Sequence, residues 1–335
     1  MTKNTAQIVR FHETGSSSVL KIESLPLTEP GPDEVRIKVE AFGLNRAEIM
    51  FRSGAYLVAP TFPSRIGYEA SGTIDSIGSN ITDLQIGDRV STIPALSMSE
   101  YGVYGESVTL DASAISKYPA KLSPVEGTAI WMQYITAYGA LIDIGKLTAN
   151  QTVMITAASS SVGIAAIQIA KSVGAKVIAT TRGASKVQSL TDAGADHVIQ
   201  TENETLSEKA LSLTNDQGVD LVFDPIGGPM LEELALATKQ QGLIIEYGAL
   251  DERPTPYPLF TALGKGLKIQ GYTLFEITQD PDRDRLNKAK KFIFEGLESG
   301  KLKPVIDRTF PLEQIKEAHD HLESNEQIGK IVVTV

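Results

Sequence analysis

Between residues 19 and 110 the chain alternates apolar and polar positions in short runs. Val19–Glu23, Glu34–Ala41, Gly72–Gly78, Asp88–Ile93 and Glu106–Leu110 each carry the period of two that buries one face of a β-strand and exposes the other. Pro30-Gly31-Pro32 and Gly87-Asp88 interrupt these runs as turns. A helical period is found here only near Arg46–Phe51.

From about Gly127 the pattern changes. A buried helix is expected to run to Gly145, followed by apolar strands and amphipathic helices in alternation. The predicted strands are Val153–Ala157, Val177–Thr180, His197–Ile199, Leu221–Phe223 and Leu243–Tyr247, with Leu267–Leu274 as the last. The predicted helices between them are Val162–Val173, Lys186–Ala193, Leu206–Leu213 and Met230–Thr238. Strands separated by single helices form βαβ units, hence an α/β fold with a doubly wound parallel sheet. Arg283–Glu298 reads as a long amphipathic helix, after which β-like segments lead to Lys330–Val335. The expected organisation is a β-rich domain (1–125 with 275–335) and an inserted dinucleotide-type domain (126–274). The C-terminal stretch is too short for a domain of its own and completes the first.

Composition narrows the function. At about 150 residues per domain, 335 residues suit two domains and a sizeable core. Asp plus Glu number 41 against 31 Lys plus Arg, a net charge of −10. That balance argues against nucleic acid as a partner, which requires a basic face. Cysteine is absent, so thiol catalysis, disulfides and thiolate zinc sites are excluded, and a reducing, cytoplasmic setting is expected. The four histidines are scattered; His319 and His321 stand two apart in a helical segment, face different ways and read as solvated surface, so no metal site is expected. Met1–Val9 shows no apolar targeting core. The longest apolar stretch, Ala129–Ile144, is broken by Gln133, Thr136 and Asp143 and falls short of the roughly 20 residues of a bilayer span, so no membrane partner is expected.

The first βα turn of the second part reads Thr156-Ala157-Ala158-Ser159-Ser160-Ser161-Val162-Gly163. The three glycines of the dinucleotide fingerprint fall on Ala158, Ser160 and Gly163, so only the last survives. Small Ala158, the hydroxyls of Ser159, Ser160 and Ser161 and the amides through Val162 still suit a pyrophosphate at a helix N-terminus. A Ser-capped helix after a strand explains the same string. The next strand end separates the two. The acid that holds the ribose hydroxyls of NAD is missing, and Thr181-Arg182-Gly183 with Lys186 stands where a 2′-phosphate would sit. Cations at a helix start oppose the helix dipole, which favours a bound anion and hence NADPH.

Taken in order, further segments carry a resemblance: Gly43-Leu44-Asn45-Arg46-Ala47-Glu48, Arg52-Ser53-Gly54-Ala55-Tyr56, Gly67-Tyr68-Glu69-Ala70-Ser71-Gly72, Gly87-Asp88-Arg89-Val90, Thr136-Ala137-Tyr138, Ala157–Gly163 and Gly329-Lys330-Ile331-Val332. Over essentially its whole length the chain resembles the medium-chain dehydrogenase/reductase superfamily, in its zinc-free quinone oxidoreductase branch. The resemblance implies a GroES-like β-rich catalytic domain beside a Rossmann domain. The positions that hold catalytic zinc in the zinc alcohol dehydrogenases carry Asn45, Tyr68 and Met132, and their proton relay falls on Ala47 and Met50.

The activity so implied is hydride transfer from NADPH to a small molecule already electron-poor, a quinone or another conjugated carbonyl, with a hydrogen-bond donor for the oxyanion. By resemblance Tyr56 is the active-site tyrosine and Asn45 an amide donor nearby. Against this, Tyr56 also fits as a loop aromatic covering the site, and Tyr68 and Asn45 as fillers of the vacated metal position. Thr136 resembles the nicotinamide-side hydroxyl of the family. Tyr247-Gly248 lies at a strand end, where doubly wound sheets bind ligands, and Lys330 is expected to approach the nicotinamide side. Asp224, after the strand Leu221–Phe223, is equally well explained as a turn former with Pro225 and Gly227 and is not counted among the site residues. Two rival functions stay open: an enone or enoyl-thioester reductase, and a non-catalytic NADPH-binding structural protein. The family commonly pairs the last strand of the cofactor domain across a two-fold axis, so a homodimer through Lys268–Phe275 is expected, a use that protects an apolar sheet edge.

Overall fold

The computed structural model describes residues 4–335. Met1–Lys3, the start of the segment read for a targeting signal, lie outside the described residues. The chain divides into two compact units, residues 1–132 with 304–335, and residues 133–303.

The first unit is built on a seven-stranded sheet. Its spatial order is Ile306–Pro311, Lys330–Thr334, Glu34–Gly43, Glu69–Ile77, Arg89–Thr92 and Ile115–Lys117, with Ser107–Asp111 also paired to Glu34–Gly43. A hairpin of Thr5–Arg10 and Lys21–Pro26 completes the strands. Alternation in Glu34–Gly43 drives Val35, Ile37, Val39 and Ala41 into the core. The C-terminal strand pairs antiparallel with it, Val332 opposite Gly43 and Thr334 opposite Ala41.

The second unit is a six-stranded parallel sheet in the order His197–Gln200, Lys176–Thr181, Thr152–Ile155, Val219–Asp224, Thr238–Glu246 and Lys268–Gly271. Counted along the chain this is 3-2-1-4-5-6, the order of the Rossmann fold, with its switch point at Thr152–Ile155. Met154, Ile178, Val222 and Ile244 from four neighbouring strands pack with Leu231, Leu234 and Ala210 from the helices. These strands read as continuous apolar runs because helices cover the sheet.

Several elements differ from the sequence reading. The helix expected to reach Gly145 is α-helical over Trp131–Tyr138 and widens to a π-helix over Gly139–Ile144. The Tyr272 hydroxyl donates to the Ile135 carbonyl at 3.3 Å, and that carbonyl is the one an α-helix would offer to Gly139. The last strand of the parallel sheet is only Lys268–Gly271, because the chain turns inward at Tyr272, which is buried. A further helix, Leu259–Lys265, precedes that strand. The units exchange at 132/133 and 303/304, where the sequence reading set 125/126 and 274/275. The helix Asp284–Ser299 is held in the second unit by the Arg285–Asp143 ion pair at 2.6 Å and by Phe292 against the Tyr138 ring. His319 is not surface: it is fully buried, with Arg52 3.3 Å from its Nδ1, and His321 is paired with Asp307 at 2.8 Å. No helix among the described residues is long and apolar enough to cross a membrane.

Candidate active site

In the first unit the chemistry gathers where the helix Arg46–Ser53 meets the strand Glu69–Ile77. Asn45 precedes the helix, and Glu48 in its first turn reaches back so that Oε2 accepts the Asn45 amide at 2.7 Å, the return half of a capping box. The Asn45 side chain is fully engaged. Its Nδ2 donates to Glu48 Oε1 at 3.1 Å and to Glu69 Oε2 at 3.3 Å, and its Oδ1 accepts Lys330 Nζ at 2.6 Å. Lys330 also forms an ion pair with Glu69, both side chains sealed from water. The other Glu69 oxygen accepts the Met132 amide at 2.8 Å, and Glu48 Oε1 accepts the Tyr68 amide at 3.2 Å. Two buried carboxylates and one ammonium thus tie together Asn45, Tyr68 and Met132. Burial raises the Glu48 carboxyl to about 7, against the pull of Lys330.

A metal ion does not fit this arrangement. The only carbonyl oxygen on the Asn45 side chain is taken by an ammonium, which also neutralises the carboxylate behind it, and Met132 enters the cluster through its backbone. Two expected donors are engaged within the protein here. Lys330 is 1% exposed, and its charge is paired with Glu69. Asn45 keeps no amide hydrogen for a substrate, because both face carboxylates.

Tyr56 lies beyond the helix, half-buried, its ring edge-on to Phe51 at 6.4 Å. Its hydroxyl is hydrogen-bonded to that of Tyr68. Burial pushes the Tyr56 phenol above its ordinary value, and the bond from Tyr68 works in the opposite direction. Tyr68 is itself buried, with Thr92 Oγ1 donating to its carbonyl at 2.9 Å, and burial raises its phenol further. Gly67 before it has φ +105°, and a Cβ there would enter the Tyr104 ring, so only glycine presents Tyr68 this way.

In the second unit the strand Thr152–Ile155 feeds the turn into the helix Ser161–Ser172. Ala157 takes a left-handed φ of 44°. Ser160 caps the helix, its Oγ accepting the Gly163 amide at 3.0 Å, and a Cβ on Gly163 would lie 2.5 Å from the Ala158 carbonyl oxygen. The Ser161 and Val162 amides at the helix start have no intrahelical partner, as an anion site requires. Ala158 contributes little: it is fully buried and its amide bonds Thr180. Lys186 Nζ lies 3.2 Å from Ser159 Oγ. Arg182 is exposed and has no ion pair among the described residues, and Thr181 ends the preceding strand. Tyr247 stacks on Phe223 at 3.9 Å and its hydroxyl bonds Ser160, so a residue from a distant strand end joins the phosphate turn, with Gly248 next to it. Thr136 is buried on its helix. These features fit a dinucleotide with an extra phosphate.

Sequence reasoning missed Glu48 and Glu69, and it assigned Asp224 to a turn. The available signal was charge within apolar sequence: Glu69 opens a buried strand, and Asp224 and Glu246 each close one. Asp224 is fully buried, accepts the Thr156 hydroxyl and accepts the Gly227 amide at 2.6 Å.

Comparison with known proteins bears on the family of the chain. Residues 31–120 match the alcohol dehydrogenase GroES-like domain, and residues 193–333 match a zinc-binding dehydrogenase family. The quinone oxidoreductase of Homo sapiens is 31% identical over 94% of this chain and 93% of its own length. The synaptic vesicle membrane protein VAT-1 homolog of Danio rerio is also 31% identical, over 90% of this chain, which spans 64% of that protein. Among solved structures, an NAD-dependent alcohol dehydrogenase (30% identity, TM-score 0.90) matches 98% of this chain and 99% of its own. The Escherichia coli quinone oxidoreductase complexed with NADPH (28% identity, TM-score 0.91) matches 98% and 100%.

Proposed function

The chain belongs to the medium-chain dehydrogenase/reductase superfamily, in its zinc-free quinone oxidoreductase branch, and on that premise we propose that it is an NADPH-dependent, metal-independent reductase of quinones or similarly electron-poor conjugated carbonyls. The observation that carries the reading is the Lys330–Asn45–Glu69 cluster, which closes the position of a Lewis acid with an ammonium. An acceptor handled here must be electrophilic without a metal, and quinones and α,β-unsaturated carbonyls are.

NADPH, when bound, supplies the hydride. Ser160 and the amides of Ser161 and Val162 are assigned to its pyrophosphate, Arg182 and Lys186 to its 2′-phosphate, and Thr136, Thr181, Tyr247 and Gly248 to the remaining contacts. The relative crystallised with NADPH supports that choice of cofactor. Tyr56 is the group assigned to donate to the acceptor oxygen. With Tyr68 donating to the Tyr56 oxygen, the Tyr56 hydrogen is not used in that bond. Asn45 acts as a positioning residue that fixes Glu48 and, through it, the backbone of Tyr68.

A proton donor at Tyr56 also suits enones, which makes enone reduction the second reading. Product identification separates the two. NADPH turnover with a benzoquinone should yield hydroquinone at a rate well above that of enone saturation. Conversion of enones to saturated carbonyls with quinones inert overturns the first reading in favour of the second. Binding of NADPH without turnover of either class supports a non-catalytic role. We also propose a homodimer through the edge strand Lys268–Gly271, supported by the exposed Phe260 and Leu263 on the helix that precedes it; sedimentation equilibrium tests this.

A further inference from the structure

Asp224 and Glu246 end adjacent parallel strands of the second unit and stand directly opposite each other in register. Both lie at the carboxyl ends of the strands, the edge at which doubly wound sheets hold their ligands. Like charges placed opposite one another across strands repel. Here the repulsion has little relief. Asp224 is fully buried, and both Glu246 carboxyl oxygens are closed to water and accept no hydrogen bond. Among the described residues no cation forms an ion pair with either carboxylate. Thr156 and Gly227 reach it with a hydroxyl and an amide, and Gly271 lies opposite Glu246 on the far strand. Tyr247 follows Glu246 with its hydroxyl on Ser160. Arg253, in the segment after the Glu246 strand, is exposed and bound to Asp251 at 2.6 Å.

Two carboxylates so placed cannot both be ionised without a large electrostatic cost. Asp224 already accepts two hydrogen bonds, and a carboxylate has room for a third. Glu246 has no donor to accept from, so it is the member that carries a proton. We propose that protonated Glu246 donates to Asp224, and that this shared proton holds the ends of three strands together: Asp224, Thr156 at the root of the phosphate turn, and Glu246 beside Tyr247. The pair is then a latch that positions the NADPH-binding turn without touching the cofactor. This extends the NADPH assignment above and rests on it for its effect on binding, but not for its effect on stability.

Burial and the Asp224 charge raise the Glu246 carboxyl to about 9, which sets the pH range. A carboxyl raised in the folded state binds a proton that the unfolded chain has released. Its contribution to stability therefore falls as pH rises from the ordinary carboxyl range and is lost above about 9. If the turn is competent only in the protonated form, apparent affinity falls with the protonated fraction, about tenfold by pH 10.

The test compares the parent protein with Glu246→Gln, whose amide donates to Asp224 at every pH. NADPH affinity is measured by fluorescence, and the thermal midpoint without cofactor by calorimetry, both from pH 7.5 to 10.5. We expect the parent to lose thermal stability mainly between pH 7.5 and about 9 and NADPH affinity above that, about tenfold by pH 10, with E246Q losing clearly less of both. Every other side chain is the same in the two proteins, so the difference belongs to Glu246. Parent and variant curves that run parallel overturn the proposal. A parent whose thermal midpoint is flat over this range overturns it even if E246Q fails to fold. A parent that binds no NADPH at any pH counts against the cofactor assignment, and the thermal comparison then decides the latch alone.

Discussion

Lys330 Nζ donates to Asn45 Oδ1 at 2.6 Å while pairing with Glu69, and none of its side chain is exposed. This contact orients the Asn45 amide, with its oxygen toward the ammonium and both hydrogens toward Glu48 and Glu69. Gly43 leaves the route open, since a Cβ there would lie 2.5 Å from Lys330 Cε. Lys330→Met keeps the stem and deletes the charge, leaving Glu69 buried without its partner. The expected loss of unfolding free energy is about 3–5 kcal/mol, read by urea denaturation. A loss below about 1 kcal/mol would mean that the ammonium is not what holds the cluster.

Arg182→Ala separates the two nicotinamide cofactors. A hydrogen bond to a charged group is worth about 1.5–3 kcal/mol, so KM for NADPH should rise roughly ten- to a hundredfold while NADH is nearly unaffected. Lys186→Ala should act in the same direction and more weakly, because Lys186 already lies beside Ser159. Equal losses for both cofactors would remove the 2′-phosphate from this position.

His319 makes the first unit sensitive to acid. Burial, with the Arg52 charge behind it, lowers its imidazole to about 3. Its folded-state value lies below its unfolded one, so its share of stability is present above about 6.5 and is lost as pH falls toward 3. His319→Gln can still accept the Arg52 bond but does not titrate. Its urea midpoint should fall less between pH 7 and pH 4.5 than that of the parent. Identical falls would show that His319 is not the acid-sensitive group.

Tyr56→Phe keeps the ring against Phe51 and removes only the hydroxyl. Reduction of a quinone gives a phenolate, similar in acidity to tyrosine near pKa ~10, which tolerates a missing donor. Reduction of an enone gives a much stronger base, and positioned proton transfer contributes about 10²–10⁴-fold. The variant should stay within about tenfold of the parent on benzoquinones and lose far more on enones. A large and equal loss on both would make Tyr56 a substrate-positioning residue, and no loss on either would leave it a covering aromatic.

Periodicity located elements better than partners. The helix Leu206–Leu213 has the predicted bounds, and Glu34–Ala41 and Met230–Thr238 end within two residues of prediction, because burial of one face writes itself into local sequence. The Ser-rich turn was legible for the same reason, a cap beside its own helix. Lys330 pairing with Glu69, 261 positions away, was not, since only the folded sheet brings them together. Asp224 looked like a turn residue because Pro225 and Gly227 follow it. Its burial depends on Thr156 and Glu246, contributed by strands far along the chain. The shortened last strand was hidden by Tyr272, whose inward turn answers a carbonyl on a distant helix.

The central claim, metal-independent use of NADPH on an electron-poor carbonyl, is tested most directly by NADPH oxidation with 1,4-benzoquinone after exhaustive treatment with a chelator. The account predicts saturable turnover that matches the untreated protein and is unchanged when zinc is added back. Turnover that is lost with chelation and returns only with zinc, or no quinone-dependent oxidation of NADPH at all, would contradict it.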